Sequence, residues 1–184
     1  MELKIIGGIY RGLKLSLDDA NSDFRPTKNQ IREALMSILV ADIAKASVLE
    51  LCAGSAIISL EFLSRGATKA VAVEKEPARI RKIGNLIKGR EIETNFNFIQ
   101  SDTESYLAHC TETFDLVFFD PPYYSNELTD TIPKVFSLLN EYGILIYEFA
   151  SDDSYATMII SSLQGCSTTY KKYGNSSIAI IRSN

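Results

Sequence analysis

The sequence predicts an α/β fold: a mostly parallel sheet with helices on both faces and an antiparallel hairpin at its end. Three observations predict it. Short apolar runs at Ser47–Cys52, Ala70–Val73, Phe96–Ile99, Phe114–Phe119 and Ile144–Tyr147 alternate with helix-like segments near 56–65, 77–89, 103–110, 126–140 and 152–163. The runs are solidly apolar, as strands buried on both faces are. The tail "CSTTYKKYGNSSIAIIRS" breaks the alternation, because two β-rich runs flank Gly174–Asn175, the signal of a tight hairpin.

Ahead of the first buried run, "KIIGGIYRGLKLSL" sets Ile5–Ile6 and Leu13–Leu17 around glycine punctuation, which reads as two short strands. In "RPTKNQIREALMSIL", Ile31, Leu35, Ile38 and Leu39 recur at helical spacing and Thr27 is placed to cap the helix. Residues 1–40 therefore read as an N-terminal extension and residues 41–184 as the main domain.

The composition excludes several classes. With 46% apolar and 23% charged residues the chain is globular, and 184 residues fit one domain of ordinary size. No apolar run reaches the ~18 residues of a membrane span, and "MELKIIGGIYRG" has no signal-peptide core. Cys52, Cys110 and Cys166 are odd in number and far apart, which suits the reducing cytoplasm and offers no metal-binding spacing. The single histidine, His109, reads as a surface helix residue, so no metal site is expected. A net charge of −4 argues mildly against a general nucleic-acid binder. The extension is nevertheless basic, with Lys4, Arg11, Lys14, Arg25, Lys28 and Arg32 interleaved with glycine and tyrosine.

Ligands of open α/β sheets bind at the carboxyl ends of the strands. There the sequence places Glu50 and the small turn Ala53-Gly54-Ser55-Ala56, then Glu74, then Asp102, then Asp120-Pro121-Pro122-Tyr123. Each signal has a plain reading. The small turn serves packing as often as binding, Glu74 is the first solvated residue after a strand, and Asp102 caps the helix from Thr103. Together at consecutive strand tips they point to a nucleoside-type cofactor. Glu74, 20 residues beyond Gly54, is placed to accept hydrogen bonds from a ribose diol. Neither GxGxxG nor GxxxxGK[ST] occurs, and Glu50 would repel a pyrophosphate while attracting a cation. S-adenosylmethionine, a cationic nucleoside, fits this pattern.

The pieces "IIGGIYRGLKL", "RPTKNQIREALMSIL", "LELCAGSA…LSRGA", "VEKE", "FDLVFFDPPY" and "YKKYGNSSIAII" run in order over nearly the whole chain. In them the sequence closely resembles the RsmD family, the 16S rRNA guanine-N2 methyltransferases. The resemblance implies a seven-stranded Rossmann-like methyltransferase domain behind a short N-terminal extension. It implies that Glu50, Gly54 and Ser55 line the methionine end of the cofactor, that Glu74 holds the ribose and that Asp102 faces the adenine edge. Ala53, Lys75, Thr103 and Asp120 complete the cofactor contacts. Asp120, Pro121, Pro122 and Tyr123 form the catalytic element. Arg11, Arg25, Lys28 and Arg32 meet rRNA phosphates or close over the cofactor. The partner it implies is 16S rRNA, within an assembling small subunit, bound by a monomer.

The Asp-Pro-Pro-Tyr element has a physical logic. The lone pair of the guanine N2 amine is delocalised into the ring. The Asp120 carboxylate and the Pro121 carbonyl together accept both N–H groups and favour the pyramidal nitrogen of the transition state. Two prolines fix φ, so the carbonyl is aimed in advance. The Tyr123 ring stacks on the purine, a contact worth ~1–3 kcal/mol, with its hydroxyl expected to contribute little. The loop departs from the family's usual Asp-Leu-Phe-Ala-Gly-Ser-Gly, reading Glu50-Leu-Cys-Ala-Gly-Ser-Ala56: Glu50 adds a methylene to the usual Asp, and Ala56 places a Cβ where the last Gly is usual. Ala56 is strained if its φ is positive and harmless if it lies in the first helical turn. Two other readings compete: methylation of another amine, in DNA or in protein glutamine, and a cofactor-binding paralogue without catalysis.

Overall fold

The computed structural model describes residues 2–16 and 27–184. Arg25, one of the expected RNA-contacting residues, lies outside them. Strands β1 (Glu2–Lys4) and β2 (Lys14–Ser16) pair as a small antiparallel hairpin. Helices α1 (Asn29–Ile38) and α2 (Val40–Ile43) lead into the main sheet. There β3 (Ser47–Leu51), α3 (Ile57–Ser64), β4 (Lys69–Glu74), α4 (Pro77–Ile87), β5 (Phe96–Gln100), α5 (Thr103–His109) and β6 (Phe114–Phe119) follow in strict alternation, with a 3-10 turn ahead of β5. Two short helices, α6 (Asn126–Thr129) and α7 (Ile132–Phe136), precede β7 (Leu139–Ala150), α8 (Ser154–Ser161), β8 (Cys166–Tyr173) and β9 (Ser176–Ser183).

The seven strands lie in the order β5-β4-β3-β6-β7-β9-β8. The first five are parallel, and β9 pairs antiparallel with both β7 and β8. This is the seven-stranded sheet and C-terminal hairpin that the sequence predicts. Successive residues of each strand feed opposite cores, as the pleat requires. Val48, Ala70, Leu116 and Ile144 pack under the β1–β2 hairpin and α1 to α4. Leu49, Val71, Val117 and Leu145 pack with α5, α7 and α8. Both faces are thus covered, which is why the strands are apolar throughout.

Two expectations need correction. The segment 126–140 is not one helix: α6 and α7 are separate, Pro133 sits in the first turn of α7 and β7 begins at Leu139. Proline lacks the N–H that an incoming helix would need, so the helix restarts there. Thr27 does not cap α1, whose cap position is Lys28 without a side-chain bond. The Thr27 hydroxyl is used elsewhere, as described below.

The β1–β2 hairpin and α1 are pinned to the sheet through α3. All eight residues of α3 are buried, including Glu61. Glu61 accepts from the Ile6 N–H at 2.8 Å and from Arg32 Nη1 at 2.8 Å, and it also binds Arg65. The glycine pair of the hairpin serves the same junction. Gly8 has φ +78°, and a Cβ there would fall 1.8 Å from the Ser64 carbonyl oxygen. The Ile9 N–H donates to that carbonyl at 2.7 Å, so only glycine allows the hairpin so close to the end of α3.

Candidate active site

The strand order reverses direction at β3, so the loops after β3 and after β6 flank one crevice, where open α/β sheets bind ligands. The first loop runs from Cys52 to Ala56. Its backbone alternates: Cys52, Gly54 and Ala56 have φ of 56°, 53° and 51°. Ala56 is therefore in the left-handed region, the strained alternative of the two that the sequence leaves open. It occupies the cap position of α3 and has no polar side chain to satisfy the first helical N–H groups. Glu50 does so from β3, its Oε2 accepting from the Ser59 N–H at 2.7 Å.

Glu74, at the tip of β4, braces the same loop. Its Oε2 accepts from the Gly54 N–H at 2.7 Å, and its Oε1 accepts from the Glu76 N–H at 2.9 Å and from Arg79 at 3.2 Å. A carboxylate has about four acceptor sites, so capacity for further donors remains on this side chain. Ala53, Gly54 and Ser55 are buried in the loop, and Lys75 is exposed just beyond Glu74. Asp102 is exposed and caps α5, accepting from the Ser105 N–H at 2.8 Å, and this bond holds its carboxyl below the usual range. Thr103 is buried, and its hydroxyl lies 3.3 Å from Cys52 Sγ.

The fourth tip is Asp120-Pro121-Pro122-Tyr123. Parallel pairing sets Phe119 beside Tyr147, so Asp120 and Glu148 are the next residues in register. Thr27 from the extension hydrogen-bonds to the Asp120 carboxyl. Asp120 is half-buried, and desolvation of its carboxyl, together with the charges of Glu148 and Glu50, raises it well above its ordinary range. Glu50 is raised to about 7, chiefly by burial. Glu148 is raised as well, again chiefly by burial, with hydrogen bonds from Ser176 and Tyr123 and the charge of Lys28 opposing. Glu148 and the Thr27 contact are missed by reasoning from sequence. The available signal for Glu148 is one acid set in the apolar run "ILIYEF". Thr27 carries no comparable signal, because its partner is 93 residues away.

The Tyr123 hydroxyl is not idle. It lies 2.5 Å from Ser176 Oγ and donates to Glu148 Oε1 at 3.3 Å, and these contacts fix the ring plane. The ring itself is 40% exposed at the mouth of the crevice.

The four residues expected to meet RNA separate. Arg11 and Lys28 are exposed. Arg32 is 1% exposed and bonded to Glu61, Asn29 and the Lys4 carbonyl. It cannot reach a phosphate, because its helix turns it inward against α3. It holds the extension in place instead.

The crevice is rich in acceptors and acids. Such a set disfavours a diphosphate and fits a cationic nucleoside whose ribose and amino groups are donors. The residues present therefore fit S-adenosylmethionine, with Glu74 and the loop backbone on one side and Asp120 on the other.

The family described as Conserved hypothetical protein 95 matches residues 3–182 of this chain. Ribosomal RNA small subunit methyltransferase D of Escherichia coli (strain K12) is 34% identical over 80% of this chain and 71% of its own. A solved Escherichia coli structure, yhhF, described as a methyltransferase, covers 100% of this chain and 99% of its own at 26% identity, with a TM-score of 0.82. The structure of SMU.776, a methyltransferase complexed with SAH, shares the fold at a TM-score of 0.75 and 16% identity over 92% of this chain and 53% of its own.

Proposed function

The chain belongs to the RsmD family of ribosomal RNA small subunit methyltransferases, and on that premise we propose that it methylates the exocyclic N2 of a guanine in 16S rRNA. One observation carries the reading. The Asp-Pro-Pro-Tyr tip of β6 stands at the switch point of the sheet, with Asp120 among acids and the Tyr123 ring at the entrance.

S-adenosylmethionine, held by Glu74, Asp102 and the loop from Ala53 to Ser55 with Lys75 and Thr103 beside them, supplies an electrophilic methyl group on a positively charged sulfur. Every other task belongs to the chain. Asp120 and the Pro121 carbonyl accept the two N–H groups of the amine, and Pro121 and Pro122 hold that carbonyl in place. Tyr123 stacks on the base once it has left its helix, with its ring plane set by Ser176 and Glu148. In the free protein burial of the carboxyl, together with the neighbouring acids, raises Asp120 toward its protonated form. A cation in the crevice favours the ionised carboxylate, which then accepts hydrogen bonds. As the N–CH₃ bond forms, the S–CH₃ bond of the donor would break with its electron pair left on sulfur as a neutral thioether, and one amine proton passes to Asp120 and from there to solvent.

Residues 1–40 serve as the substrate-covering extension, in which exposed Arg11 and Lys28 meet phosphates and position the RNA without reading its sequence. With a net charge of −4, this basic set is a small share of an acidic chain, so an assembling small subunit that adds protein contacts is the preferred substrate. The protein acts as a monomer in the cytoplasm; no helix among the described residues is long and apolar enough to cross a membrane. Mass mapping of methylated guanines in small-subunit rRNA, with and without this gene, tests the reading. One N2-methylguanine should vanish with the gene, and an unchanged map refutes the proposal.

A further inference from the structure

Glu148 lies in β7, in register with Asp120, and is 5% exposed. Its two carboxyl oxygens differ. Oε1 takes the Tyr123 hydroxyl, while Oε2 is buried with no hydrogen-bond partner. Thr27 and Lys28 flank this corner: the Thr27 hydroxyl bonds to Asp120 and the Lys28 charge acts on Glu148. A buried acceptor without a donor is costly unless a ligand completes it. The Thr27 hydroxyl marks where a donor already sits on Asp120, and an amine can take its place there.

The donor arithmetic of the substrate matches the site. This step rests on the guanine-N2 reading above. Beside its N2 amine, guanine presents a third donor, N1–H, on the same edge. Asp120 and Pro121 account for the two amine hydrogens, and Glu148 Oε2 is the acceptor left over. We propose that Glu148 is a specificity-determining residue that accepts the guanine N1–H, so that guanine is selected over bases whose amine adjoins a ring nitrogen acceptor. In adenine and cytosine that neighbouring nitrogen carries a lone pair, which a carboxylate repels. An Asp-Pro-Pro-Tyr tip by itself serves any planar amine; the second carboxylate restricts it to a donor-donor edge.

The test compares guanine with 2-aminopurine, which keeps the amine but replaces N1–H with an acceptor. Small-subunit particles are reconstituted with either base at the mapped target position, and kcat/KM is measured for wild type, Glu148→Gln and Glu148→Asp. Wild type should prefer guanine by on the order of 10²-fold, the discrimination of one good polar pair. Glu148→Gln offers an amide N–H to the ring nitrogen and should cut that preference at least tenfold. Glu148→Asp keeps the charge and should keep the preference while losing rate. A residue that only supports Tyr123 lowers both rates together, so an unchanged guanine to 2-aminopurine ratio in Glu148→Gln overturns the inference. Thermal melting of each variant separates misfolding from altered choice, and if Glu148→Gln does not fold the ratio in Glu148→Ala, which removes the acceptor, decides the matter: a fall of tenfold or more supports the inference and an unchanged ratio overturns it. Failure of the wild type to methylate guanine refutes the parent reading instead, and is seen in a different arm.

Discussion

The molecule buries acids in two places and treats them in opposite ways. Under the hairpin, Glu61 is fully buried, yet it is met by Arg32, Arg65 and the Ile6 N–H. At the tips of β6 and β7, Asp120 and Glu148 lie beside each other with Glu50 near, and the charges acting on Asp120 are negative. The first cluster is closed, because its one acid is met by two arginines of the chain. The second keeps an unfilled acceptor, Glu148 Oε2, among acids that outnumber the cations near them, and a cationic cofactor and an amine bring the positive charge and donors to fill it. Buried acids are tolerated for structure when paired, and left unpaired where a ligand completes them.

The comparison breaks most sharply at Glu61. Removing one member of a buried pair leaves the other uncompensated, at a cost of about 3–5 kcal/mol. Glu61→Ala should therefore lower the unfolding free energy by that amount in urea titrations, and a loss below 1 kcal/mol would mean that the cluster is not closed. Ala56→Gly is a smaller probe, on the crevice side. Relief of a left-handed alanine at the cap of α3 should stabilise the protein by at most about 1 kcal/mol. A destabilised variant would show that the buried methyl matters more than the backbone strain.

Glu50→Gln probes the sign of the open cluster with the smallest change. Glu50 titrates near 7 when folded, against an ordinary value of 4.5. A raised carboxyl means that the folded protein binds more protons than the unfolded one across that window. Its contribution to stability is complete below about 4.5 and is lost as pH rises through about 7. Urea titrations of the free protein from pH 5 to pH 8 should show stability falling less steeply in Glu50→Gln than in wild type. An identical slope would refute the assignment.

What was legible in the sequence follows from what is local. Apolar runs, their spacing and the Gly174–Asn175 turn act over a few residues, and these gave the strand sequence and the terminal hairpin. The four strand tips were legible because the sheet brings successive strand ends to one edge. The split of segment 126–140 was obscured because Leu128 of α6 and Ile132 and Val135 of α7 pack in one core at helical spacing across the break. Arg32 looked like a phosphate ligand because a cation on an amphipathic helix is normally solvated; its partner Glu61 lies 29 residues away. Glu148 and Thr27 matter through contacts across strands and across the extension, for which one sequence carries no periodic signal.

The most direct test of the account is single-turnover methylation of small-subunit particles by Asp120→Ala, run beside cofactor calorimetry and urea titration of the same variant. Loss of one preorganised polar group from the transition state should slow the chemical step by ~10²-fold or more. Cofactor affinity should stay within a few-fold, and stability at neutral pH should hold or rise, because a half-buried acid has been removed from a cluster of acids. A variant that methylates at the wild-type rate would contradict the account, and would reduce Asp120 and its prolines to a turn that ends a strand.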